Sequence, residues 1–432
     1  MAIGHNNPVS ARPRVAIVGA GWAGLAAAVE LAPRADVTLF EAGRVAGGRA
    51  RALGDGSGLD NGQHILIGAY AECLRLMRTV GLEPDSVLRR EPMNWIRLGG
   101  LQLRCPPLPA PWHVALGLLM AKGLSIGSKL RLAWALQKLR WQGWRLAEDL
   151  PVLGWLQQQR QSPVLIDEFW RPLVLSALNT PPERASMQVL ATVLRDSLGA
   201  KRAASDLLLP KVDLSTLFPN AALAWLQAQG VAWRPGVRVR ALQATKQGAV
   251  VQGEAFDAVI VAVAPYHLPL VLPESPLVSR LQSLHYWPIY TVYLQFGQPL
   301  SLPQVMTGLR GGTADWLFDR AALTGESGLV VAVLSAPSGL EGIDQQELVR
   351  RVLVDVRRLV PQVAEPLSWR VVVEKRATFA AEVGRWCPPL RAAGPGCYLA
   401  GDWLMPDYPA TLEGAVRSGV AAARALLADY QS

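Results

Sequence analysis

Cysteine is scarce in this chain: Cys73, Cys105, Cys387 and Cys397 are the only four in 432 residues, and none sits close to another. That spacing excludes a metal knuckle or a paired redox dithiol, so reduced buried thiols and no metal site are expected. Lysine is rare too, with seven against an overall 43 lysines and arginines. Long apolar runs are missing. Val15–Val29 is punctuated by glycines and Trp112–Ala121 stops at Lys122, short of the ~18 uninterrupted apolar residues that a bilayer span takes. The segment Met1–Arg14 lacks an apolar stretch followed by small residues, which predicts a cytoplasmic protein, with any membrane contact peripheral. No repeat or low-complexity tract appears. Acidic residues are absent altogether from Pro92 to Ala147, although the whole chain carries 34 and a net charge of only +9.

What is present is enough for a large core. Half the residues are hydrophobic, and the length suggests two or three domains. Val15-Ala16-Ile17-Val18 reads as a buried parallel strand leading directly into Gly19-Ala20-Gly21-Trp22-Ala23-Gly24, with Leu25–Leu31 as the following helix. In that context Gly19 permits the tight turn, Gly21 lets backbone approach a pyrophosphate, and Gly24 lets the helix pack on the strand. Free N–H groups at the helix start, with Ala23 in the first turn, complete an anion site. Val37–Phe40 reads as the next strand, ending at Glu41, whose carboxylate suits the hydroxyls of a ribose. Up to this point the ligand is a dinucleotide, either NAD or FAD.

Glu41-Ala42 followed by Gly47-Gly48-Arg49 adds a second, basic contact for a pyrophosphate. This pairing resembles the amine oxidase and phytoene desaturase superfamily of flavoproteins, which implies FAD. The other end of the chain agrees with the resemblance. Cys397–Ala400 leads into Gly401-Asp402, and Pro409-Ala410-Thr411-Leu412-Glu413-Gly414-Ala415 opens an apolar helix over Thr411–Leu427. The resemblance places Asp402 at the ribityl chain and Thr411 and Leu412 under the flavin. It also gives Val239 a backbone contact to the adenine. Gly236–Leu242 and Phe256–Pro265 both read as strands, the second returning the chain to the dinucleotide sheet. The fold class expected is therefore α/β, a discontinuous Rossmann-type FAD-binding domain over residues 12–85, 205–269 and 386–432, with a mixed α+β substrate domain over 86–204 and 270–385. Tyr290–Phe296 and Leu329–Leu334 are expected to pair there as antiparallel strands.

A narrower resemblance lies in Asp60-Asn61-Gly62-Gln63-His64-Ile65-Leu66-Ile67-Gly68-Ala69-Tyr70 and in the continuation Val416-Arg417-Ser418-Gly419. Both are similar to the squalene-associated FAD-dependent desaturases, the hydroxysqualene dehydroxylases of hopanoid biosynthesis. The resemblance implies reductive removal of an allylic hydroxyl, with hydride from reduced FAD and water leaving, and adds Gly62, Gln63 and His64 to the cofactor wall. Such chemistry needs an acid for the departing hydroxyl. His64 is the first candidate and Asp407 the second; Asp60, Tyr408 and Glu413 are nearby in sequence. Each also has an ordinary structural use, as a turn cap or a backbone hydrogen-bond partner. No lysine occupies a recognisable flavin-facing setting, which disfavours oxygen-driven amine oxidation. Only one nucleotide fingerprint is evident and no separate NAD(P)H site can be read, so the sequence leaves open which electron donor regenerates reduced FAD.

The acid-free segment is rich in tryptophan, with Trp95, Trp112, Trp134, Trp141 and Trp144 among eight basic residues. A helix over Ser128–Ala147 would bury Leu132, Leu136, Leu139, Gly143 and Leu146 and turn Trp134 and Trp141 outward with basic neighbours. That composition suits a lipid interface on the inner face of the cell membrane, an entrance for an apolar isoprenoid substrate. Internal packing of a cap helix is the plainer use of the same residues. No nucleic-acid recognition motif accompanies the basic patch. A carotenoid or other isoprenoid desaturase, or a flavin-holding membrane scaffold serving partner enzymes of squalene synthesis, would share these features.

Overall fold

The computed structural model describes residues 12–245 and 248–431. Five strands form a parallel sheet in the order Cys397–Leu399, Ala258–Val261, Arg14–Val18, Asp36–Glu41, Ala232–Pro235. The chain thus reaches this sheet from its beginning, its middle and its end. Both faces are buried, as expected for parallel strands without polar alternation. Val15 and Ile17 face a core with Leu25, Val29, Val416 and Val420, whereas Ala16 and Val18 face one with Val259, Val261, Leu268 and Trp403.

The first helix, Trp22–Leu31, starts directly after the glycine turn and packs against the last helix, Leu412–Gln431. The two backbones touch: a Cβ on Gly419 would stand 2.1 Å from the Ala23 carbonyl oxygen. Small residues along both helices make that approach feasible, and it ties the two chain ends into one unit.

A second, seven-stranded sheet runs in the order Ser368–Phe379, Tyr286–Gln295, Leu329–Ser335, Trp316–Asp319, Met306–Leu309, Asn94–Leu98, Gln102–Arg104. Tyr286–Gln295 and Leu329–Ser335 are antiparallel neighbours. One face carries Val292, Leu294, Val330 and Ala332 onto the amphipathic helix Gln345–Leu359. The opposite face carries Tyr293, Val331 and Val333 into a core shared with the helical lobe, including Leu132, Leu139, Trp155 and Trp170. Three of the four cysteines are buried, and all are free thiols.

Two local expectations are corrected. Gly236–Leu242 is not a strand: pairing ends at Pro235, Gly236 turns with φ +74°, and the chain then crosses the end of the Asp36–Glu41 strand, with Val237 N–H donating to Glu41 O. The helix expected over Ser128–Ala147 runs over Ile126–Trp141 instead. Ser125 caps its start by accepting from Ser128 N–H, and Gly143 at φ +62° marks its end. Gln188 then holds the turn beyond it, donating to Trp144 O and accepting from Leu146 N–H.

Candidate cofactor and substrate site

A cavity of about 640 Å³ lies where the carboxyl ends of the parallel strands meet the second sheet. Its first wall is the glycine turn. Gly19 holds φ +107°, and a Cβ there would stand 2.6 Å from Ala262 O, so only glycine fits. Gly21 faces Gly48, which has φ +63° and would place a Cβ 3.1 Å from Gly21 Cα. Gly47 N–H donates to Ala20 O at 2.8 Å. The Gly47-Gly48-Arg49 turn is therefore packed against the Gly19–Gly24 turn, and two segments separated in sequence build one phosphate-sized cradle. Gly24, named with the cofactor turn, acts only through packing of the helix. It does not line the cavity, and a Cβ on it would collide with Gly19 O at 1.8 Å.

Glu41, at the end of its strand, accepts from Ala20 N–H at 2.8 Å and Gly43 N–H at 2.7 Å, which fixes its carboxylate at the cavity rim beside Ala42. Val239 lines the same end. Arg49 reaches across the molecule: Nη2 donates to Asp402 Oδ2 at 2.6 Å and Nη1 to Ala377 O at 2.8 Å. Burial opposes its charge, yet Asp402 and Tyr266 hold the guanidinium above its ordinary pKa. Gly401 N–H donates to Ser418 Oγ, and Thr411 Oγ1 accepts from Gly414 N–H, capping the last helix, so Gly401, Asp402, Thr411 and Leu412 present one continuous edge.

The distinctive segment supplies another wall, with Asn61, Gly62, Gln63 and His64 all lining the cavity. Gln63 Oε1 is buried and has no partner. His64 Nδ1 lies 3.2 Å from Gly62 O. Burial pushes the imidazole below its usual pKa; the Gly62 hydrogen bond opposes this and the Arg49 charge reinforces it. The far end is apolar, lined by Ile65, Leu175, Leu178, Ile289, Trp316 and Phe318.

Asp407 is corrected. It is exposed and outside the cavity, because the turn after the Asp402–Leu404 helical turn directs it to solvent. The other acids near the motifs have structural uses. Asp60 is buried and accepts from Leu214 N–H at 2.8 Å; burial raises its pKa to about 6. Glu413 is fully buried and accepts the N–H groups of Glu72 and Cys73. Tyr408 hydrogen-bonds Asp196. Sequence reasoning missed Glu374, Asn179 and Thr378, which line the cavity from two distant stretches, Asn179 from the end of the Arg171–Leu178 helix and the other two from the Ser368–Phe379 strand. Asn61 Nδ2 donates to Glu374 Oε2 at 3.1 Å, and Asn179 Nδ2 donates to Thr378 Oγ1 while its Oδ1 is left unpartnered. A Leu-Asn-Thr-Pro string was a legible helix stop for Asn179, which takes φ +42°; nothing comparable marks Glu374. Among the described residues no cluster of three or more His, Cys, Asp or Glu side chains is placed to hold a metal.

A family model for flavin-containing amine oxidoreductases matches residues 22–427. Hydroxysqualene dehydroxylase of Zymomonas mobilis subsp. mobilis is 30% identical over 94% of this chain and 97% of its own. That of Rhodopseudomonas palustris is 32% identical over 96% and 98%. The 15-cis-phytoene desaturase of Narcissus pseudonarcissus is 26% identical over 96% of this chain and 80% of its own. Among solved structures, the cyclohexylamine oxidase of Brevibacterium oxydans superposes with a TM-score of 0.70 at 18% identity, over 98% of this chain, a likeness of fold. The double-glycine cradle, the rim carboxylate and the unpartnered Gln63 Oε1 fit the cofactor of that family. The chain belongs to the flavin-containing amine oxidoreductase family, and to the hydroxysqualene dehydroxylases within it, and is an FAD-dependent oxidoreductase.

Proposed function

We propose that this chain converts hydroxysqualene to squalene in hopanoid biosynthesis. The observation that carries the reading is the match, over nearly the whole chain, to two relatives bearing that activity in their names. The net reaction replaces the C–O bond by C–H: the allylic carbon gains a hydride, the hydroxyl gains a proton, and water leaves. FAD in its reduced state supplies the hydride.

The residues divide that work. The turns at Gly19–Gly21 and Gly47–Gly48 would hold the pyrophosphate, Glu41 the ribose, and Asp402, braced by Arg49, the ribityl end. Leu175, Leu178, Ile289, Trp316 and Phe318 take the hydrocarbon and exclude water, which protects an allylic cation from recapture. His64 is the proton donor in this reading. Its depressed pKa makes the imidazolium a stronger acid but a minor species at neutral pH, so turnover rises as pH falls below its ordinary value near 6.5. In His64→Gln that rise disappears.

The desaturase reading has support in the phytoene desaturase relative. Product analysis separates the two. Enzyme reduced under anaerobic conditions and given hydroxysqualene should yield squalene; no squalene, with phytoene oxidised by the FAD-loaded enzyme instead, would replace the first reading by the second.

A further inference from the structure

The helical lobe carries an apolar surface that the cofactor and substrate site does not use. On the Ile126–Trp141 helix, Ile126, Leu130, Trp134 and Trp141 are between 58 and 76% exposed, while Leu132, Ala135 and Leu139 are buried. At about 100° per residue the four exposed residues fall within an arc of about 80°, opposite the buried stripe. The helix thus has two apolar faces, one turned inward and one with no partner in the protein. Trp134 and Trp141 stack edge to face at 5.4 Å across this outer stripe.

The Trp112–Met120 helix repeats the arrangement. Trp112, Leu119 and Met120 are exposed on one side, and His113, Gly117 and Leu118 are buried on the other. Lys129 Nζ donates to Leu119 O at 2.7 Å, joining the outer stripes of the two helices. Contiguous exposed leucine, isoleucine, methionine and tryptophan of this extent mark an interaction surface.

The charge around it selects the partner. Lys129 and Arg140 flank the outer stripe of the longer helix on one side, and Arg131 and Lys138 on the other. Lys122 stands in the connection between the helices, and no acidic residue occurs from Pro92 to Ala147. We propose that the two helices form a platform that seats in the interfacial layer of a bilayer carrying anionic headgroups, with indoles and aliphatic side chains inserted and the basic residues at headgroup level. The lobe behind the platform shares its core with Trp316, Phe318 and Val333 of the cavity wall, so the seated surface lies on the apolar side of the molecule. The platform is built from surface residues alone, whatever the substrate of the cavity.

The test uses the full-length, FAD-loaded protein and co-flotation with phosphatidylcholine–phosphatidylglycerol vesicles, against pure phosphatidylcholine vesicles. Binding is expected to the anionic vesicles and to fall at least tenfold in Trp134→Ser/Trp141→Ser and in Leu119→Ser/Leu130→Ser, with the flavin spectrum and melting temperature retained. Replacing Arg131 or Arg140 by glutamine should weaken it about fivefold each at low salt. Unchanged binding in both serine variants would overturn the proposal. So would a concentration-dependent dimer abolished by the same substitutions with no vesicle binding, which would assign the face to a second copy of the chain.

Discussion

At the scale of single residues, the site depends on a few contacts between segments far apart in the chain. Arg49 and Asp402 are 353 positions apart and meet at 2.6 Å. Removing the carboxylate charge leaves the guanidinium without its counterion at the cavity wall. Asp402→Asn should weaken FAD retention by about 10- to 100-fold, the equivalent of one charge-assisted hydrogen bond of roughly 1.5–3 kcal/mol. The flavin-to-protein ratio after extensive dialysis measures it, and full occupancy in the variant would contradict the assignment.

His64 gives a pH signature of its own. Its pKa in the folded protein is depressed, so the unfolded chain binds the extra proton more readily. The contribution is neutral above about 6.5 and becomes destabilising as pH falls through that value, levelling off below the folded pKa. His64→Asn should therefore lose less melting temperature than the parent between pH 7 and pH 5. Parallel melting curves in the two proteins would show that His64 titrates as an ordinary exposed histidine. The glycines and Glu41 were legible because local geometry forces their identity: a turn that admits no Cβ and a strand end that points a carboxylate at the turn; Arg49, expected as a pyrophosphate contact, instead donates to Asp402 and to Ala377 O. Glu374 was not. It acquires its place by pairing with Asn61 across 313 positions, and no local pattern encodes that contact.

Among the elements, the first and last helices carry the closure of the FAD unit. A Cβ at Gly419 would meet the Ala23 backbone at 2.1 Å, and backbone cannot yield as a flexible side chain can. Gly419→Ala should cost about 1–3 kcal/mol of unfolding free energy through overpacking, read by denaturant melts, and should lower FAD content in parallel. Unaltered stability would mean the helices separate without cost. The sequence showed both helices through their small-residue patterns, while the small residues gave no indication of their closeness. The longer outer helix was overextended for a related reason. Gly143 fits a leucine stripe at helical spacing, yet its positive φ makes it the stop. Periodicity alone reads a glycine as a weak helix residue where the chain uses it as a terminator. Likewise the Val-Arg alternation of Val237–Arg240 imitates a strand but belongs to the cavity rim, which Val237, Arg238 and Val239 line.

At the scale of the whole molecule, one parallel sheet gathers three separated stretches of chain and a second sheet roofs the cavity they frame. The discontinuity was readable from motifs at both ends. The apolar chamber was not, because Leu175, Ile289 and the pair Trp316 and Phe318 come from three different elements and converge only in three dimensions. Among the described residues no helix is long and apolar enough to cross a membrane.

In the proposed reaction, electrons stored in the flavin leave as a hydride to an allylic carbon. A single turnover under anaerobic conditions measures this directly: fully reduced enzyme mixed with hydroxysqualene, with the flavin spectrum and the extracted hydrocarbon followed together. The flavin should reoxidise with one squalene formed per flavin reoxidised. Flavin that stays reduced while hydroxysqualene is recovered intact would contradict it.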